Sequence, residues 1–201
     1  DLKAATAWIN SADAQAQLAA ATPYKHLFGT VAGGVYLAKS AMGATNGVDL
    51  SNTHLLEKEF GWTGILAEPA RVWQAALKEN RSARIETDCV WKATGESLVF
   101  NQVDSEKGLA ALSTIDSFSG VDLHHKARTT GTKYSVTTIS LQDMLIKHNA
   151  PKDIDYLSID TEGSEYVILQ AFDFDAYNIK VLTCVHAYTP AKEELYAILT
   201  C

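Results

Sequence analysis

Two glycines and four carboxylates are the residues of this chain whose types and spacing bear most directly on chemistry. Gly43-Ala44-Thr45-Asn46-Gly47 is a tight polar turn, and Glu68-Pro69 follows one helix-like run and one short apolar run later. Glu68 lies 21 residues past Gly47, a distance that suits a carboxylate accepting both ribose hydroxyls of an adenosine. A dinucleotide site would carry G-x-G-x-x-G, with a turn that cradles the pyrophosphate. Here the spacing is G-x-x-x-G, so an adenosine without a pyrophosphate is indicated, which points to S-adenosylmethionine. Ser51 and Asn52 open the next helix, where backbone N–H groups favour an anion such as the methionine carboxylate, or serve as simple caps.

Three further side chains could act on a substrate. His186 has the imidazole that titrates near neutral pH and so suits a general base; a hydrogen-bonded structural histidine is the other reading. Asp160 and Glu162 could orient a substrate, hold a sulfonium electrostatically, or bind a hard cation through oxygen. Glu162 also suits the N-terminal dipole of the helix that follows. No metal site is assigned. His124 and His125 fall in a polar loop and are expected in solvent.

Strands and helices alternate along most of the chain. "GGVYLA" is a candidate strand, and "TGILAE", "ARIETDCVW", "IDYLSID" and "IKVLTCVH" read as others, with "ESLVFNQV" and "KYSVTTI" as further extended segments. Ser51 is expected to cap a helix through Phe60 that buries Leu55, Leu56 and Phe60 and leaves Glu57, Lys58 and Glu59 outside. Pro69 stands where a helix with Val72, Trp73, Ala76 and Leu77 on its apolar stripe begins. Ser140 caps "LQDMLIKHN", "SEYVILQAF" is another helix, and "PAKEELYAIL" is the last. This alternation predicts an α/β fold with a mostly parallel central sheet and helices on both faces. In such sheets ligands sit at the carboxyl ends of the strands, where these polar residues fall.

With 201 residues, 47% hydrophobic and 20% charged, the chain fits a single α/β domain. A net charge of -7 argues against a nucleic-acid surface, which needs clustered Lys and Arg. No apolar run approaches the roughly 20 residues of a membrane span. Cys89, Cys184 and Cys201 form an odd set without C-x-x-C spacing, which fits reduced thiols in the cytoplasm better than disulfides or zinc. No secretory signal is visible. The chain starts without Met and stops directly after a helical pattern, so a segment of a longer protein, truncated at its C-terminal end, is expected.

"GATNGVDLSNTHLLEKEFGWTGILAEP", "DCVW", "ISLQDML", "DYLSIDTEGSEYVILQAFDFDAYNIKVLT" and "HAYT" together resemble the FkbM-type family of S-adenosylmethionine-dependent methyltransferases. The resemblance runs from residue 43 to about residue 200, leaving residues 1–42 as a poorly matching lead-in to a methyltransferase domain over 43–201. It implies a Rossmann-like class I methyltransferase fold and methylation of a hydroxyl on a sugar or natural product, so a small-molecule or glycan acceptor. It also implies Gly43–Gly47 as the cofactor loop, Glu68 on the ribose, and Asp88 with Cys89 beside the adenine. The chain departs from the family at Ala41, where an acidic residue is usual, and at Val185-His186-Ala187, where E-H-N is usual. Those departures favour a rival reading, a non-catalytic binding module of the same fold. Another adenosine-cofactor enzyme, such as a dehydrogenase, is the second rival. Oligomeric state is left open.

Overall fold

A computed structural model of the chain describes residues 36–40, 44–49, 51, 53–103, 109–120, 124–185 and 191–199, with backbone alone for 36–40 and 191. Gly43, Asn52 and His186, Ala41, and the lead-in apart from 36–40 lie outside the described residues. All the described residues belong to one compact unit, Val35–Cys201. Its elements in chain order are β1 (Tyr36–Ser40), α1 (His54–Phe60), β2 (Thr63–Ala67), α2 (Arg71–Asn80), β3 (Arg84–Glu86), β4 (Cys89–Trp91), β5 (Ser97–Gln102) and β6 (Thr114–Ile115). They continue with α3 (His125–Arg128), β7 (Thr132–Ser140), α4 (Leu141–Lys147), β8 (Asp153–Ile154), β9 (Tyr156–Ile159), α5 (Glu165–Gln170), β10 (Asn178–Ile179), β11 (Leu182–Cys184) and α6 (Ala191–Leu199).

The chain is a mixed α/β structure. Five strands form one sheet in the order β11-β9-β1-β2-β3, and every neighbouring pair in it is parallel. Ranked by chain order alone, that is 5-4-1-2-3, so the direction of winding reverses between β1 and β9. Such a reversal opens a crevice at the strands' carboxyl ends. β2 shows why the sheet is parallel: Gly64, Ile65, Leu66 and Ala67 are all buried, the continuous pattern of a strand covered on both faces. Ile65, Leu157 and Ile159 pack with Met144, Leu145 and Ile168 of the helices in the main core.

"ARIETDCVW" is not one strand. Glu86 turns its carboxylate back onto the N–H groups of Thr87 (2.9 Å) and Asp88 (3.1 Å). Those amides then have a side-chain partner in place of a strand ladder, and the run breaks there. β3 stays in the parallel sheet, while β4 joins a second, four-stranded sheet in the order β4-β7-β5-β6. In that sheet β4 pairs with β7 in parallel, and β5 pairs antiparallel with both β6 and β7. β8 and β10 form a separate two-stranded pair. The described strands are thus shared among three sheets.

Two local readings also change. Thr53, not Ser51, occupies the N-cap of α1, and it makes no side-chain cap bond. The face of α1 that is buried is the one carrying Glu57, whereas Leu55 is 54% exposed. Glu57 is drawn inward by the Arg81 guanidinium, whose Nε lies 2.7 Å from its Oε2. The Ser82 N–H and hydroxyl complete its partners at 2.7 and 2.8 Å. A charge that is paired and hydrogen-bonded can be buried where a lone one cannot. At the other end, Gly61 closes α1 in the left-handed region, with its N–H on the Leu56 carbonyl. For α4 the expected cap is present: Ser140 Oγ accepts from the Asp143 N–H at 3.0 Å.

Candidate active site

The turn after β1 is built by its own side chains. Asn46 Oδ1 accepts from the N–H groups of Val48 (3.0 Å) and Asp49 (2.9 Å), and Thr45 Oγ1 donates to the Asp49 carbonyl at 2.9 Å. Gly47 N–H closes on the Ala44 carbonyl at 2.6 Å. Gly47 needs its glycine twice over: its φ is +81°, and a Cβ there would stand 2.6 Å from Arg81 Cγ. Thr45 also takes a positive φ, +41°. Ala44, Thr45 and Gly47 are buried, and Asn46 half-buried.

Glu68, just past β2, is 1% exposed. Its carboxylate accepts from the Thr45 N–H at 3.2 Å and from the Ala70 N–H at 2.9 Å. The glycine turn and the carboxylate that the spacing paired in sequence are therefore joined in space. Cys89 lies close by: its thiol is pushed up to about 12 by burial, then by the negative charges of Glu68 and Asp88. Asp88 itself sits in the break between β3 and β4, half-buried, with Lys147 Nζ 3.6 Å from its carboxylate. So Glu68, Asp88 and Cys89 share one neighbourhood, although Asp88 is not in a strand as expected. Tyr134 joins them unannounced by the sequence. Its hydroxyl takes the Arg71 N–H at 3.2 Å and donates to Gln102 Oε1 at 2.9 Å, and the Pro69 carbonyl stands 3.4 Å away. The Ser51 hydroxyl accepts from Arg81 Nη1 at 3.1 Å and from the Thr53 N–H at 3.4 Å.

On the other side of β1 from β2, the segment after β9 holds Asp160 and Glu162, both half-buried. Two devices set its shape. Glu165, buried at the start of α5, accepts from the Thr161 N–H at 2.7 Å and from the Gly163 N–H at 3.0 Å. Burial raises the Glu165 pKa, the backbone donors work the other way, and the Asp160 charge adds to the rise. Glu162 takes a left-handed backbone, φ +56°, and pairs with Arg128 Nη2 at 2.9 Å. Arg128 comes from α3, inside the polar stretch read as a loop, and its side chain is fully buried. Gly163 packs on Phe118, where a Cβ would approach to 3.1 Å. Cys184, ending β11, is raised to about 12 by burial, then by Glu165 and Asp160, so these three also lie together. His124 and His125 are exposed, as expected. Among the described residues, no group of three or more His, Cys, Asp or Glu is placed to hold a metal ion, and no helix is long and apolar enough to cross a membrane.

Sequence reasoning missed Glu165, Arg128, Tyr134 and Arg81. The chemically odd run "SIDTEGSEY" contained Glu165 in plain view, but Arg128 and Arg81 carry no local signature.

The glycine turn and the buried Glu68 lie together at the carboxyl ends of the adjacent parallel strands β1 and β2, in an α/β protein whose winding reverses between β1 and β9. The family model of the methyltransferase FkbM domain matches residues 42–199, and the chain belongs to that family. At family level it is a methyltransferase. Neither the search of curated proteins nor that of solved structures returned a match.

Proposed function

We propose that this chain is an S-adenosylmethionine-dependent methyltransferase that methylates a hydroxyl oxygen on a sugar or natural product, working in the cytoplasm on a small-molecule or glycan acceptor. The observation that carries the reading is the bond from the Thr45 N–H to Glu68, which closes a glycine turn over a buried carboxylate at the carboxyl ends of β1 and β2. The reversal of winding between β1 and β9 supports a Rossmann-like class I methyltransferase fold with helices on both faces of its sheet. The domain runs over 43–201, with 1–42 as its lead-in.

The donor set suits the cofactor. A carboxylate offers about four acceptor positions, so Glu68 can hold backbone N–H groups and take ribose hydroxyls together. Gly43–Gly47 would pass beside the methionine portion, with Ser51 and Asn52 at the same end, and Pro69, Asp88 and Cys89 would border the adenine. When bound, S-adenosylmethionine supplies an electrophilic methyl on a sulfonium. Transfer of that methyl to an acceptor hydroxyl would release a proton, which a base of this chain would take. His186, two positions beyond β11, is assigned as that base; a positioned base contributes about 10²–10⁴-fold. Asp160 would place negative charge on the sulfonium side, and Glu162, already paired with Arg128, would help to orient the acceptor.

Isothermal titration with S-adenosylmethionine and with NAD tests the reading. Binding of the first alone supports it. Binding of NAD alone would instead make the chain a different adenosine-cofactor enzyme. Cofactor binding without turnover on any hydroxyl acceptor would favour a binding module.

A further inference from the structure

Arg81, the C-cap residue just past α2, is 6% exposed and has a full set of hydrogen-bond partners. An arginine carries five N–H donors in a fixed planar fork. Here Nε donates to Glu57 Oε2 at 2.7 Å. Nη1 donates to the Gly47 carbonyl at 3.1 Å and to Ser51 Oγ at 3.1 Å. Nη2 donates to the Thr53 carbonyl at 3.3 Å and to Thr53 Oγ1 at 3.0 Å. Four of the five bonds therefore go to Gly47, Ser51 and Thr53, the far side of the glycine turn and the entry to α1. Only the fifth goes to a charge. The aliphatic stem lies directly under Gly47, at the place a Cβ would need. The neighbouring Asn80 adds a bond from Nδ2 to the Asn46 carbonyl at 2.8 Å.

We infer that Arg81 is the positioning residue of the cofactor loop: it fixes the turn from the side away from Glu68, so that the loop is already shaped before the cofactor arrives. The inference rests on the cofactor reading of that loop. Glu68 holds the turn at Thr45 and Arg81 holds it at Gly47, so the segment is pinned at two points. Preorganisation of this kind lowers the ordering cost of binding. Glu57 has a different part, neutralising the buried guanidinium without touching the loop. A lysine in place of Arg81 keeps the charge for Glu57 but has neither the fork nor the reach to satisfy Gly47, Ser51 and Thr53 together.

The two contributions separate experimentally. Arg81→Lys and Glu57→Gln are compared with the wild type for melting temperature, for S-adenosylmethionine affinity by titration, and for amide hydrogen exchange over residues 45–53 without ligand. In Arg81→Lys, exchange over that segment should quicken and affinity should fall about 10- to 100-fold, the scale on which a small misplacement of positioning groups is felt. Glu57→Gln should lower the melting temperature at least as much, yet keep affinity within about threefold, because the four bonds to the loop remain. Affinity that simply follows melting temperature across both variants would overturn the inference and make Arg81 a stability residue only. Unchanged exchange in Arg81→Lys would overturn it as well. A wild type that binds no S-adenosylmethionine defeats the cofactor reading and this inference with it, whereas a wild type and an Arg81→Lys variant that bind equally well defeat the inference alone.

Discussion

The N–H of Thr45 lies 3.2 Å from Glu68 Oε2, so a turn and a strand end 23 residues apart share one buried hydrogen bond. Glu68 Oε1 holds the Ala70 N–H ahead of α2 in the same way. One carboxylate thus organises both the loop proposed for the cofactor and the start of the next helix.

Removing it should cost both functions. Glu68→Ala leaves two backbone N–H groups, one of them from a buried turn residue, without this acceptor, a loss of about 1–3 kcal/mol for each unsatisfied donor. Affinity for S-adenosylmethionine should drop by about 10- to 150-fold from the lost ribose contacts. Glu68→Gln should recover only part of the stability, since its one amide oxygen can take one of the two N–H groups while its NH2 faces the other, and less still of the affinity. Chemical denaturation and titration of both variants check this; full cofactor affinity in Glu68→Ala would remove Glu68 from the site.

The pair Arg128–Glu162 ties the segment after β9 to α3 through a guanidinium with no exposure and a carboxylate that is 17% exposed. Glu162→Gln should destabilise by roughly 3 kcal/mol, because it removes a charged partner from a buried arginine. Arg128→Met in the same protein should return part of that loss, since no uncompensated charge is then buried. A double-mutant cycle by urea denaturation measures the coupling. Strict additivity of the two changes would show that the pair contributes nothing as a pair.

The pH dependence of stability should carry the mark of Glu86. Its carboxyl is buried, which alone would raise its pKa, but bonds from Lys147, the Asp88 N–H and His148 outweigh that and hold it below the usual range. A carboxylate depressed in the folded state stabilises above its unfolded value, near 4.3, and that contribution is lost as pH falls through the folded value. Lys147 is raised, chiefly by its bond to Glu86, so its share is present below about 10.4 and lost at higher pH. Melting temperature should therefore be high between these limits and fall on both sides. Glu86→Gln should weaken both falls, and the acid one only partly, because Glu57 is also depressed, with bonds from Ser82 and Arg81 outweighing its burial. Identical acid and alkaline limbs in wild type and Glu86→Gln would contradict this assignment.

Cys89 and Cys184 should be inert to alkylation in the native protein. With pKa values near 12, only about one thiol in 10⁴ is a thiolate at pH 8, and the thiolate is the reactive form. Peptide mass spectrometry after iodoacetamide treatment should find both residues unmodified at pH 8 and both modified in urea. Rapid native labelling of Cys89 would mean that the space beside Glu68 opens to solvent.

Several features are legible in the amino-acid sequence by itself. The distance from the glycine turn to Glu68, the continuous apolar run of β2, Gly61 at the end of α1 and Ser140 at the start of α4 are all local patterns. Spacing, periodicity and capping act within a few residues or one element, so they can be read along the chain. The alternation of strands and helices likewise points to an α/β fold.

What only the tertiary structure decided was where the charges go. Glu57 reads as an exposed residue of "LEKE" until Arg81, 24 positions on, meets it inside the protein. Arg128 reads as part of a polar loop until it reaches Glu162, 34 positions on. Glu86 reads as one more strand residue until Lys147 and His148, 61 and 62 positions on, gather around it while it bends the chain back on its own amides. Burying a charge is costly in isolation and tolerable beside a partner. Which side of each helix faces inward, and where "ARIETDCVW" breaks into two sheets, thus depended on partners that are brought near only by folding.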